Sequence, residues 1–445
     1  MNKWIQTLRL SPHFARRSLR VVRLCNPMVS ERSESNHRGS IVFAFLLILV
    51  LSGLSAAILL KSVNESRVAN RMANSSAALW AAEAGVQKVL WEYNYNNCRD
   101  MIQQSSGIAC TDCTCGSVTK SLAGTLTGYA DYDVTFNSAN TTLQSVGSVP
   151  SRSAANLIQR RVQVTVGRPP TFGNGIFAQG QVWLSNNALI DSYNSSNGPY
   201  GGSNILHNGN IGTNGTGSGI INLSNNVTVD GNLSTGPGGT VTKGNNVTVT
   251  GTTTSNNSVA LPAVVVPSTL TGLSSGGTLS IANNGSQTLN AGNYKYTNIS
   301  MANNATLNIN GNVSIYLTGA TDLTASNNVA INVTNGSTLT IYLDGTLSVN
   351  NNAAINNVSR LPSNLQIYST YTGSNGISIG NNATTYAAVY APTTDVNMSN
   401  NDSLYGAVVG KTVTLNNNAA IHYDQVLATV ANPFQNAITS NWQEY

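Results

Sequence analysis

From Ser40 to Leu60 the chain carries no charge, and the run IVFAFLLILVLSGLSAAILL, Ile41 to Leu60, is long enough to cross a hydrocarbon core of about 30 Å as one helix. Beyond Lys61 the helical period persists. Val68, Met72, Leu79, Val86 and Leu90 recur near helical spacing in an Ala-rich stretch without Pro, so the helix is expected to run to about residue 95 with an amphipathic second half. Residues 128–167 switch to partial two-residue alternation in GYADYDVTF, TTLQSVGSV and SAANLIQRRVQVTV, which predicts a small antiparallel sheet packed on that helix.

After Arg168-Pro169-Pro170 the texture changes again. Asn pairs followed by alternating small apolar residues and Thr begin at 186, 225, 245, 283, 303, 327, 351, 381, 400 and 417, at intervals of 39, 20, 38, 20, 24, 24, 30, 19 and 17. Spacing near 20 or twice that, with strand-like content, predicts a single-stranded parallel β-helix over residues 171–430. Asn tolerates the left-handed conformation of a tight corner, and Asn225, Asn245, Asn303, Asn327, Asn381, Asn400 and Asn417 are expected to stack as a ladder along the axis. Val227, Val229, Val247, Val249, Leu307, Ile309, Val329 and Ile331 then point inward. About 13 coils would make a rod roughly 60 Å long. LPAVVVPSTL (261–270) breaks the rhythm as a turn between blocks of coils, and Phe434, Ile438 and Trp442, four apart, suggest a short helix within a 431–445 cap over the last coil.

The fold class is therefore mainly β, with a long N-terminal transmembrane helix and a small sheet ahead of the solenoid. Composition narrows the function. Only 9% of residues are charged, and residues 168–445 hold five Lys/Arg against eight Asp/Glu, so no basic stripe is present for nucleic acid. Residues 1–39 hold eight basic and two acidic residues, which places the N-terminus in the cytoplasm if translation starts at Met1; a start at Met28 removes most of that bias. The N-x-S/T triplets are by-products of Asn-Thr alternation. Parallel β-helices include enzymes acting on glycans, which need clustered carboxylates or a basic group. Asp395, Asp402, His422 and Asp424 come from successive repeats, but turn and strand-end roles account for them, and no motif for phosphate, calcium or nucleophilic chemistry occurs. The reading is no enzyme, no cofactor and no metal.

Apart from Cys25, the cysteines are Cys98, Cys110, Cys113 and Cys115, all in a polar stretch just past the helix (96–167 with the sheet). In an exported segment an even count favours two disulfides, with three connectivities open; a four-Cys metal site is the alternative, but the spacing lacks two paired C-x2-C knuckles.

His37-Arg38-Gly39, then Ser40 and the apolar helix over 40–95, then Ala81-Ala82-Glu83-Ala84-Gly85 near its end, resembles the N-terminal domain of PilX-type minor type IV pilins over residues 37–95. That resemblance implies a leader (1–39) cut between Gly39 and Ser40 by a prepilin peptidase, a pilin-like sheet, and a helix that packs among other pilins. It departs from the major-pilin pattern at the fifth mature residue, Ala44 where Glu is usual. The stretch from Tyr390 to Leu427 resembles a β-rich region of uncharacterised function often appended to such helices. The expectation is a minor pilin-like subunit of a type IV pilus or related filament, in a priming or tip position, held in the cytoplasmic membrane with its C-terminal domain outside and presenting the β-helix for adhesion. Its expected partners are membrane lipid, other pilins with their assembly machinery, and an extracellular surface or glycan. A membrane-anchored glycan enzyme and a self-associating scaffold are the alternatives.

Overall fold

The computed structural model describes residues 37–96, 98–105, 119–126, 129–137, 141–356 and 358–445. The chain divides into two compact units, residues 1–72 and 73–445. One helix, α1 (His37–Tyr95), begins in the first and ends in the second.

In the first unit the apolar side chains from Val42 to Leu60 are all exposed, Phe43 and Phe45 to 70% each. In the second unit the last part of α1 packs on an antiparallel sheet in which β1 (Thr119–Leu126), β2 (Ala130–Asn137), β3 (Thr142–Val149) and β4 (Ile158–Gly167) follow in order. Ala82, Val86 and Val89 meet Leu122, Val134, Phe136, Leu143 and Val162 in one core. The contact is close because both faces are small there. A Cβ on Gly147 would lie 2.5 Å from the Ala82 backbone nitrogen, and one on Gly85 would lie 2.8 Å from a Val134 methyl. A short helix, α2 (Arg99–Gln104), adds Met101 to this core.

The sheet is completed by the C-terminus. Ile438–Glu444 is a strand antiparallel to β4, not the expected cap helix, and Ile438 and Trp442 are 55% and 45% exposed. The four-residue spacing misled because this strand sits at the sheet edge, where alternation need not bury one face. Residues 171–430 are thus inserted between two neighbouring strands of the small sheet. The chain enters and leaves the insertion side by side, with Pro170 bridging Ala431 and Thr171 N–H donating to Val430 O.

The insertion is a parallel β-helix of ten coils, one for each strand of its ten-stranded sheet, so the rod is nearer ~48 Å than ~60 Å. Inward Ile, Leu and Val from every coil form one continuous core. Named by their Asn pairs, the coils stack in the order 283, 303, 327, 351, 381, 400, 417, 186, 225, 245. The first coils in sequence therefore lie after the last ones in space. The seam is ordinary parallel pairing, Val413–Leu415 on Val182–Leu184 and Ala420–Asp424 on Leu189–Tyr193. The 417 coil takes its third strand from the entering chain, Ile176–Ala178, between Val408–Gly410 and Ile211–Thr213. Residues 255–277 connect the coils at the two opposite ends. On the way Pro262 O accepts from Tyr390 Oη, and Leu270 is buried with Tyr342 and Tyr368.

Both end coils close themselves with side chains. In the row that carries Leu415, Leu184 and Leu223, the terminal coil places Lys243, and opposite Leu233 it places Thr253. At the other end Gln287 stands over Leu307, and Tyr294 and Tyr296, rings parallel at 6.2 Å, stand over Ile315 and Leu317. A charge at an inward position of an edge strand blocks further pairing.

Candidate functional site

The Asn pairs all fall at one corner of the solenoid. The second residue of every pair has positive φ, between 54° and 65° from Asn226 to Asn187, which Asn accepts at low cost. Apart from Asn246 in the terminal coil, each of these N–H groups donates to the first Asn of the next coil, in an unbroken chain from Asn284 to Asn303 O through Asn418 to Asn186 O and on to Asn226 to Asn245 O. Side-chain amides repeat the pattern, Asn327 to Asn303 at 3.0 Å, Asn400 to Asn381 at 3.0 Å and Asn417 to Asn400 at 3.1 Å, and across the seam Asn186 to Asn417 at 3.1 Å. Asn225 and Asn245 lie at the same corner one and two coils beyond Asn186.

The residue after each pair turns inward and is usually Ala or Val. In the 400 coil it is Asp402, with no exposed surface. Its Oδ2 accepts from Ser399 N–H at 3.2 Å, its Oδ1 has no partner among the described residues, and burial raises its pKa to about 8. Asp395 lies at a different corner, where it accepts from Thr412 Oγ1 at 2.7 Å, and Asp424 caps the turn that leaves the solenoid. The four residues read as a possible catalytic group are therefore dispersed.

His422 instead belongs to an outward row that sequence reading did not assemble. Tyr386, Tyr405, His422 and Asp191 occupy equivalent positions on consecutive coils across the seam. Parallel pairing stacks like positions, so Tyr386 and Tyr405 stack at 4.4 Å and 11°, and Tyr405 and His422 at 4.8 Å. Asp191 accepts from Tyr200 Oη and pairs with His422 Nδ1, both at 2.6 Å. Tyr200, whose ring lies 4.0 Å from His422, comes from the loop at 194–210. Burial, then the Asp191 carboxylate, raises the Tyr200 phenol. The available signal was the alignment of NNATTY, NNDSLY and NNAAIH, each with its ring at the sixth position.

Two loops flank this row. Largely buried Asn204 holds the first, its Nδ2 donating to the carbonyls of Asn194, Gly198 and Pro199. Asn356, with no exposed surface, holds the second by donating to Leu361 O and Tyr386 O. Between them lies a cleft of about 260 Å³ lined by Ser195, Gly198, Pro199, Ser359, Arg360 and Leu361.

Of the remaining sequence-derived positions, Gly39, Ser40 and Ile41 fall within α1 and Leu60 is 66% exposed. Cys98 is fully buried and disulfide-bonded, whereas Cys110, Cys113 and Cys115 lie outside the described residues. Among the described residues no cluster of three or more His, Cys, Asp or Glu is placed to hold a metal. One described helix is long and apolar enough to cross a membrane.

Residues 244–430 match the model of a domain of unknown function, DUF7305. No curated protein matches the chain. Among solved structures, the competence-associated pilin ComZ from Thermus thermophilus aligns at 12% identity over 84% of this chain and 98% of that one, with a TM-score of 0.22. A score that low carries no argument about shared fold.

Proposed function

We propose that the chain is a pilin-like subunit of a type IV pilus-related filament, anchored by α1 and carrying its β-helix outside the cytoplasmic membrane as an adhesive surface. The observation that carries this reading is the division of labour along α1: an exposed apolar stretch, then a small-residue face seated on an antiparallel sheet. The peptidase is expected to cut between Gly39 and Ser40, and Ala44 leaves no carboxylate to meet a neighbouring N-terminus. With a 260-residue insertion in its sheet, such a subunit suits a filament end better than a packed shaft. Mass spectrometry of the mature N-terminus tests the reading. Loss of residues 1–39 only when the peptidase is present supports it; a mass unchanged by peptidase deletion or by Gly39→Leu refutes it. Immunogold labelling along the whole shaft would count against the tip position.

We read the chain as a non-enzymatic module because its solenoid acids are dispersed or already bonded. End-to-end self-association is disfavoured by Lys243, Thr253 and Gln287 at inward positions of the end coils.

A further inference from the structure

We propose that the outward face of the ten-stranded sheet binds a neutral, flat polysaccharide of the β-1,4-linked glucan type, with one sugar ring stacked on Trp183. The proposal deepens the adhesive reading of the β-helix and rests on it.

A solenoid supplies its own comparison set. Strand register carries one outward row through all ten coils of this sheet, from Ser280 in the 283 coil to Thr242 in the 245 coil. Nine of its ten positions hold Ser, Thr or Asn, and the tenth holds Trp183, between Thr414 and Asn222. Parallel pairing gives each coil the same backbone environment, so the nine equivalents show that the fold asks only for a small polar group there. The indole answers no packing demand. Its neighbours Val182 and Leu184 fill the core on the other side of the strand, while Trp183 itself is 49% exposed.

The groups around it are free to meet a ligand. Among the described residues the Trp183 ring touches no other ring or cation, and neither its Nε1 nor the side chains of Thr414, Asn222 and Thr242 form a hydrogen bond within the chain. The 16-stranded sheet, by contrast, is covered where the crossover lies on Tyr342 and Tyr368 and where Tyr200 lies on His422. A flat row calls for a flat partner. The rings of a β-1,4-linked glucan hold their substituents equatorially, so the chain is a ribbon with C–H faces above and below and hydroxyls along both edges. The weakly positive C–H face meets the negative face of the indole, and the edge hydroxyls meet amides and hydroxyls that recur at about 4.8 Å per coil. The row contains no Lys, Arg, Asp or Glu, so an acidic chain finds no cation to pair with and a neutral one buries no ion.

The test is depletion of the detergent-solubilised full chain from solution by regenerated cellulose, with granular starch and a calcium pectate gel in parallel. The expected result is saturable depletion by cellulose alone, weakened about tenfold by Trp183→Ser, which gives the tenth position the residue type of its row. Trp442→Ser, which removes an exposed indole elsewhere, should leave binding unchanged, and circular dichroism should show each variant folded. Thr414→Arg, which crowds the indole from the adjoining coil, should also weaken binding and keeps the test decisive whatever Trp183→Ser does to folding. No depletion by cellulose overturns the proposal, as does equal depletion by starch or pectate, or binding indifferent to both Trp183→Ser and Thr414→Arg. An oligomer in sedimentation velocity that Trp183→Ser dissolves would assign the indole to a contact between copies of the chain and overturn it too. Because binding is read on isolated protein, its outcome is independent of N-terminal processing and filament incorporation.

Discussion

Replacing Asp402 with Ala should stabilise the β-helix at neutral pH and do so much less in acid. Asp402 occupies the inward corner position that Ala383 and Ala419 fill in the adjoining coils, so an Ala side chain fits there without rearrangement. Burial raises its pKa from 3.8 to about 8. Between those values the unfolded chain has released a proton that the folded chain retains, so stability falls as pH rises from about 4 to about 8. At about 1.4 kcal/mol per unit, the roughly three units between the ordinary pKa and pH 7 give an upper figure near 4 kcal/mol. Relaxation around the carboxylate lowers this, and a gain of about 2–3 kcal/mol is expected. The remaining cost of the unpartnered Oδ1, about 1 kcal/mol, should persist at pH 4. Thermal unfolding of wild type and Asp402→Ala, followed by circular dichroism from pH 4 to pH 8.5, separates the two contributions. A difference in midpoint that does not widen with pH, or a variant less stable at pH 7.5, would refute the reasoning.

Three further outcomes follow from the corner, the ends and the cysteines. Asn303→Ala with Asn304→Ala should cost about 2–3 kcal/mol, because Ala pays ~1–2 kcal/mol for the left-handed corner at Asn304 and the amide bonds to Asn284 and Asn327 are lost; Asn436→Ala, which removes one exposed bond to Tyr95, should cost under ~0.5 kcal/mol in the same melts. Lys243→Val with Thr253→Leu should turn the last coil into an open apolar edge and shift the protein toward higher oligomers in sedimentation velocity, whereas a distribution unchanged from wild type would remove the blocking role given to Lys243. Alkylation of the exported protein without reduction, read by intact mass, should label none of Cys98, Cys110, Cys113 and Cys115; four labelled thiols or a stoichiometric zinc ion would falsify the paired-disulfide expectation.

The corner was legible in the sequence because its requirement is local. A left-handed residue at every turn admits few residue types, so the Asn pairs reported the coils whatever lay between them. The number of coils was not legible, because interval length confuses three things. The 39 residues from Asn186 to Asn225 are one coil with the loop 194–210, the 30 from Asn351 to Asn381 are one coil with the loop 356–364, and the 38 from Asn245 to Asn283 contain the crossover. A period near 20 taken across residues 171–430 therefore overcounts the coils, about 13 in place of ten.

Stacking order was hidden for a deeper reason. Every coil offers its neighbours the same Asn corner and the same aliphatic rows, so local pattern cannot say which coil sits on which, and the 417 coil pairs with the 186 coil as readily as with the 400 coil. What does carry the information is the failure of the pattern. An interior coil favours aliphatic residues at its inward positions, Asp402 and Thr385 being exceptions, because coils cover it on both sides, whereas an end coil tolerates a polar or amphipathic one. Lys243, Thr253, Gln287, Tyr294 and Tyr296 all stand at such positions, and they fall in the two coils that flank the Pro-containing crossover in sequence. Two end coils adjacent in sequence can be reconciled only if the chain starts and finishes in the middle of the rod. That arrangement brings Pro170 beside Ala431, which is the geometry an insertion between two paired strands demands. The permuted winding and the placement of Ile438–Glu444 beside β4 are therefore one constraint: a solenoid hung from a sheet by both its ends must begin and finish at the same coil.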